Sequence, residues 1–364
     1  MNRVVVIGAG PAGSAAALAI TARGRTECLL LDRRPFPRTK VCGSGLSPWT
    51  LKFLDRIGVG GAVRRAAFRI DGAIIAGAEG PGVELRGHHE TAVLCRERFD
   101  ALLVAEATKR GAIFRDGVRV RSVLMRDGRS AGVSTDDGDI EADAVVDCSG
   151  ATGKLTFPHR SGTTLHTALA WYEGMAGTSD VVELYFDKTL KPHYGWVFPE
   201  SPNRVNVGIV YQQRTGATAR ERFQTFVERR LGERLKHATR VGKLVGCPVA
   251  VSSFPRGLGG PGLLVAGEAA RLADAATAEG IYHALVSGTL AGLSLGEALE
   301  NGNAEPALRE YQRRLRGKLG PHLASGQALM TLLRSPALDL ALRLRGLRAT
   351  RSLLRRAFAG LYHG

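Results

Sequence analysis

Gly8, Gly10 and Gly13 stand in the spacing G-x-G-x-x-G, and an acid, Asp32, follows downstream. Such residues hold a dinucleotide. The first glycine permits a tight turn, the second lets backbone approach a pyrophosphate, and the third lets a helix pack closely on its strand. The acid accepts hydrogen bonds from a ribose 2′-hydroxyl and disfavours a 2′-phosphate. Far along the chain a second acid, Glu268, sits directly after Gly267, and Tyr194, Trp196 and Phe198 alternate along one short run.

The elements around these residues have the order that dinucleotide binding needs. Arg3 to Ile7 is a β-branched run of the fully buried kind, an Ala-rich helix extends to about Arg23, and a second strand, Cys28 to Leu31, ends at Asp32. The helix N-terminus presents free N–H groups and a positive dipole end to phosphates. FAD and NAD both fit this unit. The segment "LLVAGEAARLADAATAEGIYHALVSG", Leu263 to Gly288, reads as a buried strand, a glycine turn and then a long helix of small residues. Between them, residues 160 to 255 alternate in short apolar runs separated by turn residues, the pattern of an antiparallel sheet. Alternation puts Tyr194, Trp196 and Phe198 on one face of a strand. They form either a flat apolar wall for an elongated ligand or plain core.

With 364 residues and 44% hydrophobic composition the chain has ample material for a continuous core, which excludes disorder. The net charge of +16 points to an anionic contact. No nucleic-acid recognition motif accompanies the charge, so nucleic acid is not expected. Five cysteines without a CxxC pair indicate neither a zinc site nor a disulfide framework, and no metal is expected. A reducing cytoplasm fits. The N-terminal apolar run is broken by three glycines and Pro11, unlike a signal peptide. No stretch approaches the roughly 18 apolar residues of a spanning helix.

Four places identify a resemblance. "FPRTKVCGSG" follows Asp32, "RERFD" opens at Arg96, "VVDCSGATG" ends in the loop holding Gly150, and the Leu263 to Gly288 segment comes last. In this order the chain resembles the geranylgeranyl reductase family, a branch of the flavoprotein group that also holds p-hydroxybenzoate hydroxylase. A closely similar YxWxFP signature appears as Tyr194 to Pro199. The resemblance implies an α/β fold: a Rossmann-type FAD-binding domain of the p-hydroxybenzoate hydroxylase kind, an inserted antiparallel β-sheet domain and a C-terminal helical region. The FAD domain is expected at 1–75, 92–158 and 256–300, the sheet domain at 76–91 and 159–255, and the helical region at 301–364.

It also implies that FAD is held by Gly8, Gly10, Ala12 and Gly13, by Asp32, Arg33 and Arg38, and by Cys42 and Gly43. Arg96 is to reach the phosphates, with Gly150, Gly267, Gly280 and Ile281 closing the site, and Glu268 is to hold ribityl or ribose hydroxyls. Four positions depart from the family pattern: Glu268 replaces Asp, Arg271 Gly, Ala275 Pro and Ala278 Gly.

The implied activity is reduction of carbon–carbon double bonds in an isoprenoid or lipid-like substrate by hydride from reduced flavin. NADPH, NADH or reduced ferredoxin is to serve as external donor. Tyr194, Trp196 and Phe198 are the expected substrate wall, Tyr194 and Trp196 sit with Cys42 at the reaction centre, and Cys42 is the expected acid or flavin-adjacent group. A flavin-dependent monooxygenase acting on an aromatic or polyketide substrate is the alternative, and a flavin- or lipid-binding protein with altered chemistry is a third. The basic amphipathic tail from Arg343 to Arg356 either lies on an anionic membrane surface, making the protein peripheral, or packs with a solvated arginine face.

Overall fold

A computed structural model describes residues 1–77, 82–153, 155–156, 162–212, 216–252, 257–335 and 340, apart from the side chains of 87–90. Asn2–Ile7 is buried from Val4 onward, as a β-branched strand covered on both faces must be. It pairs in parallel with Thr26–Leu31 and Ala144–Asp147. Ile113–Arg115 and Leu263–Val265 extend the two sides in parallel, and Gly259–Gly260 completes a six-stranded sheet. The Pro11–Thr21 helix opens with a proline, where a missing N–H costs nothing. Its alanines pack on Ile281–Glu300, where a Cβ at Gly288 or Gly292 would overlap the carbonyls of Ala12 and Ala16.

The second sheet has nine strands. Thr163–Glu173, Arg204–Gln212, Gly195–Ser201 and Val181–Tyr185 are antiparallel neighbours, and Val181–Tyr185 then pairs in parallel with Phe68–Ala76. Phe68–Ala76 pairs with Val83–Val93, which pairs with Gly45–Leu46. The early contribution to this sheet therefore comes from Gly45–Leu46, Phe68–Ala76 and Val83–Val93, against the expected 76–91. Phe68 to Ile75 join this sheet through a partner strand over a hundred residues away, which nothing in their own run names. One face of the sheet is apolar, with Leu169, Val182, Leu184, Trp196 and Val210 packed in one cluster with Met330 and Leu333 of the Pro306–Arg334 helix.

The segment after Glu268 is not the immediate helix that small residues imply. Gly267–Ala270 makes a single 3-10 turn, Arg271 turns left-handed at φ 59°, and the helix begins only at Ile281. Asp274 is the cause. Its Oδ1 accepts from the amides of Ala276 and Thr277 and from the Thr277 hydroxyl, capturing N–H groups that a helix would use.

Ala278, where the family pattern has glycine, keeps the left-handed backbone with φ 54°. A Cβ in that region costs about 1–2 kcal/mol. Ala278→Gly is expected to raise stability by roughly 1 kcal/mol, seen as a higher thermal midpoint. A lowered midpoint would show that the glycine's extra unfolded-state entropy outweighs the relieved strain. The tail segment from Arg343 to Arg356 lies outside the described residues.

Candidate functional site

A cavity of about 750 Å³ lies between the two sheets. Gly8, Gly10, Ala12, Asp32, Arg33, Arg38 and Arg96 line one end. The three fingerprint glycines divide by what surrounds them. A Cβ on Gly8 would press into the Cys148 carbonyl, and one on Gly13 would overlap the Gly8 carbonyl oxygen. A Cβ on Gly10 would meet only guanidinium groups, Arg96 at 3.7 Å and Arg38 at 3.8 Å. Gly10 therefore borders open space flanked by two cations.

Those cations are held in place. The Arg96 fork donates twice to Asp100, at 2.8 Å each, and Arg38 bridges Asp100 at 2.8 Å and Asp32 at 3.1 Å. Asp100 is fully buried one helical turn beyond Arg96. Burial works against the Arg96 charge, but Asp100 and the Cys42 sulfur more than offset it, and its pKa lies above the ordinary arginine value. Asp32 also accepts from the amides of Ala9 and Arg34, both at 3.0 Å, which locks it at the strand end.

The middle of the cavity is the loop from Lys40 to Ser47. The Ser44 amide donates to the Cys42 sulfur at 3.3 Å, and Gly43 and Gly45 lie against the Phe198 ring. Asn206, fully buried, joins this loop to the sheet. Its Nδ2 donates to the Cys42 carbonyl at 3.0 Å while its Oδ1 accepts from the Trp196 indole at 2.9 Å. Lys40 reaches Glu268 at 3.3 Å, and that carboxylate raises the lysine pKa against the opposing effect of burial.

Glu279, Gly280 and Ile281 line the same region at the start of the long helix. Glu279 Oε1 accepts from the Ser47 hydroxyl and, at 3.4 Å, from Thr50. Burial pushes its pKa up to about 7, with Asp274 adding to the shift and the Ser47 bond opposing it. Lys40 and Glu279 retain some accessible surface although protein surrounds them, because that surface belongs to the cavity they line.

The far end is apolar: Leu169, Val182, Leu184, Val210 and Val249 surround Tyr194, Trp196 and Phe198. The three aromatic residues follow one another with ring centroids 6.4 and 6.1 Å apart. Trp196 is only 3% exposed, so it belongs to the core and to the wall at once. The Tyr194 hydroxyl donates to the Thr277 carbonyl.

Of the residues expected at the site, Gly13 and Gly267 do not line the cavity. Both are packing glycines, Gly267 at φ +64° between Ala12 and Ala284. Gly150, Cys42, Gly43 and Glu268 do line it. Lys40, Ser149, Asn206 and the Glu279 side chain had no assigned role. Lys40, Ser149 and Glu279 had a local signal, lying inside the FPRTK and VVDCSGATG stretches and the Leu263 to Gly288 segment, whereas Asn206 had none.

The residues present fit FAD. Gly10, the buried Arg96 guanidinium and the partly buried Arg38 guanidinium form a cradle for a doubly charged pyrophosphate. The buried Ser149 hydroxyl, on the same wall, lacks a partner among the described residues.

The profile of the FAD binding domain family matches residues 1–317. Digeranylgeranylglycerophospholipid reductase 1 of Methanopyrus kandleri is 32% identical over 330 residues, covering 85% of each chain. Menaquinone reductase of Mycolicibacterium smegmatis is 29% identical over 84% of this chain and 79% of its own. The crystal structure of a geranylgeranyl bacteriochlorophyll reductase-like protein from Thermoplasma acidophilum superposes with a TM-score of 0.86 at 24% identity, over 99% of this chain and 96% of that one. A flavin-dependent brominase shares the fold, with a TM-score of 0.82 at 18% identity over 100% of this chain and 94% of its own. Family profile, cradle and relatives agree, and the chain belongs to the geranylgeranyl reductase family of FAD-dependent oxidoreductases.

Proposed function

We propose that the protein saturates carbon–carbon double bonds of an isoprenoid or similarly long lipid substrate. The observation that supports this is the continuity of one cavity from the Gly10–Arg96 cradle to the wall of Tyr194, Trp196 and Phe198. A charged dinucleotide and a hydrocarbon thus meet in one space. When bound, FAD supplies hydride chemistry.

The chain's own residues do the rest. Gly10, Arg38 and Arg96 hold the pyrophosphate, and Asp32 holds ribose hydroxyls. Glu268, paired with Lys40, would hold ribityl or ribose hydroxyls. The aromatic wall lays the hydrocarbon flat and excludes water. The donors to compare are NADPH, NADH and reduced ferredoxin, each read by anaerobic bleaching of the flavin band.

The test is product mass after anaerobic reduction with dithionite. Addition of two hydrogens per double bond of a geranylgeranyl substrate is expected. Product formation that requires and consumes oxygen would assign the site to oxygenase chemistry instead.

The basic tail completes the proposal by holding the protein on anionic lipid, where such a substrate resides. Cosedimentation with phosphatidylserine vesicles at low salt and release at high salt are expected, because each arginine contributes on the order of 1 kcal/mol that salt screens. Gln at Arg348, Arg351, Arg355 and Arg356 reduces that binding and leaves flavin content unchanged. Indifference to vesicles at low salt would reduce the arginines to a solvated helix face. Among the described residues no helix is long and apolar enough to cross a membrane.

A further inference from the structure

Resting on that reading of the reaction, we infer that Glu279 is the acid that delivers the proton to the substrate's second alkene carbon. Saturation breaks one π bond and forms two C–H bonds. Reduced flavin gives the hydride and its electron pair to one carbon and is oxidised, and the other carbon takes a proton. A neutral acid positioned on the cavity wall delivers that proton in the transition state.

The wall offers few. Tyr194 lines it, but its hydroxyl donates to the Thr277 carbonyl. The Cys42 sulfur accepts from the Ser44 amide and lies against Arg96, contacts that tie it to the loop and the cradle. Lys40 is paired with Glu268. Glu279 differs from all of these. Its Oε1 is held by two hydroxyls, Ser47 and Thr50, and Oε2 has no partner among the described residues on a side chain that lines the cavity. The Tyr194–Thr277 bond ties the turn carrying Glu279 to the aromatic wall. After the transfer Glu279 is a carboxylate held by the Ser47 and Thr50 hydroxyls, and it takes up a proton from water once the product has left the cavity.

Burial is the main reason the acid stays neutral. Asp274 lies on the preceding turn and disfavours a second carboxylate. On the elements packed around it stand His283, whose pKa burial pushes down, His322, likewise lowered by burial, Tyr282 and Arg56. A carboxyl raised to about 7 is protonated below that pH and ionised above it, so the proton is available at acidic to neutral pH and is lost as pH rises.

The experiment follows anaerobic reoxidation of the dithionite-reduced holoenzyme by a geranylgeranyl substrate in wild type, Glu279→Gln, Glu279→Asp and Cys42→Ser. Glu279→Gln is expected to slow reoxidation by about 100-fold or more with flavin content unchanged. Glu279→Asp, an acid one methylene shorter, is expected to recover part of the rate. The wild-type rate falls above pH about 7 and the residual Gln rate does not. An infrared band of a protonated carboxyl, titrating in the same range in the oxidised holoenzyme, is absent from Glu279→Gln. A Gln variant within about threefold of wild type, a pH limb that persists in it, or loss of flavin would each overturn the assignment. So would a Cys42→Ser variant that alone shows the large loss. Wild-type enzyme that leaves the isoprenoid unreduced would overturn the proposed function itself, a result distinct from an active wild type matched by Glu279→Gln.

Discussion

Gly10→Val is expected to give a folded protein that purifies without flavin, while Gly13→Ala is expected not to fold. Both residues belong to one fingerprint, and the contrast follows from what each faces. Gly10 has φ −82° and ψ −171°, extended backbone that valine adopts without strain. A Cβ there would touch only the guanidinium groups of Arg96 and Arg38, so the added methyls enter the anion cradle and not the core. A Cβ on Gly13 would instead overlap the Gly8 carbonyl oxygen, at the point where the Pro11–Thr21 helix crosses the first strand. Overpacking by one methylene in an ordinary core costs about 1–3 kcal/mol, and a clash with rigid backbone exceeds that. Circular dichroism and flavin absorbance of the two purified variants check the result. Bound flavin in Gly10→Val would remove the pyrophosphate from this loop, and a stable Gly13→Ala would mean the helix can back away from its strand.

Trp196→Ala is expected to cost about 3–5 kcal/mol of stability and to reduce turnover of long substrates more than flavin retention. The indole is buried across from Gly208, where a Cβ would run into its ring, so no neighbour is placed to refill the space. Its removal also strands the Asn206 acceptor, a buried amide that still has to hold the Cys42 carbonyl. Trp196→Phe separates the two effects, keeping most of the wall while breaking only the bond to Asn206. Thermal unfolding, flavin content and the rate with a geranylgeranyl substrate are the three measurements. A stability loss under about 1 kcal/mol in Trp196→Ala would show a wall residue with little part in the core. Equal loss of flavin and activity would place it in the structural core alone.

The features legible in the sequence are those whose physical cause is local. Gly8, Gly10 and Asp32 were readable because a turn, a backbone approach and a strand-end carboxylate each need one residue type at one spacing. The alternation of Tyr194, Trp196 and Phe198 put them on one face because strand geometry leaves no other choice. The pairing of Phe68–Ala76 with Val181–Tyr185 was hidden, since nothing in either run names its partner. The delayed start of the Ile281–Glu300 helix was hidden too, because Asp274 decides it by capturing amides that an Ala-rich stretch would otherwise spend on a helix. Tertiary structure alone decided the groups now assigned the most chemistry. Glu279 meets Ser47 across 232 residues, Lys40 meets Glu268 across 228, and Asn206 meets Cys42 across 164. A carboxyl pushed up by burial looks in sequence like any other glutamate, because desolvation depends on what the whole fold packs around it and not on its neighbours in the chain.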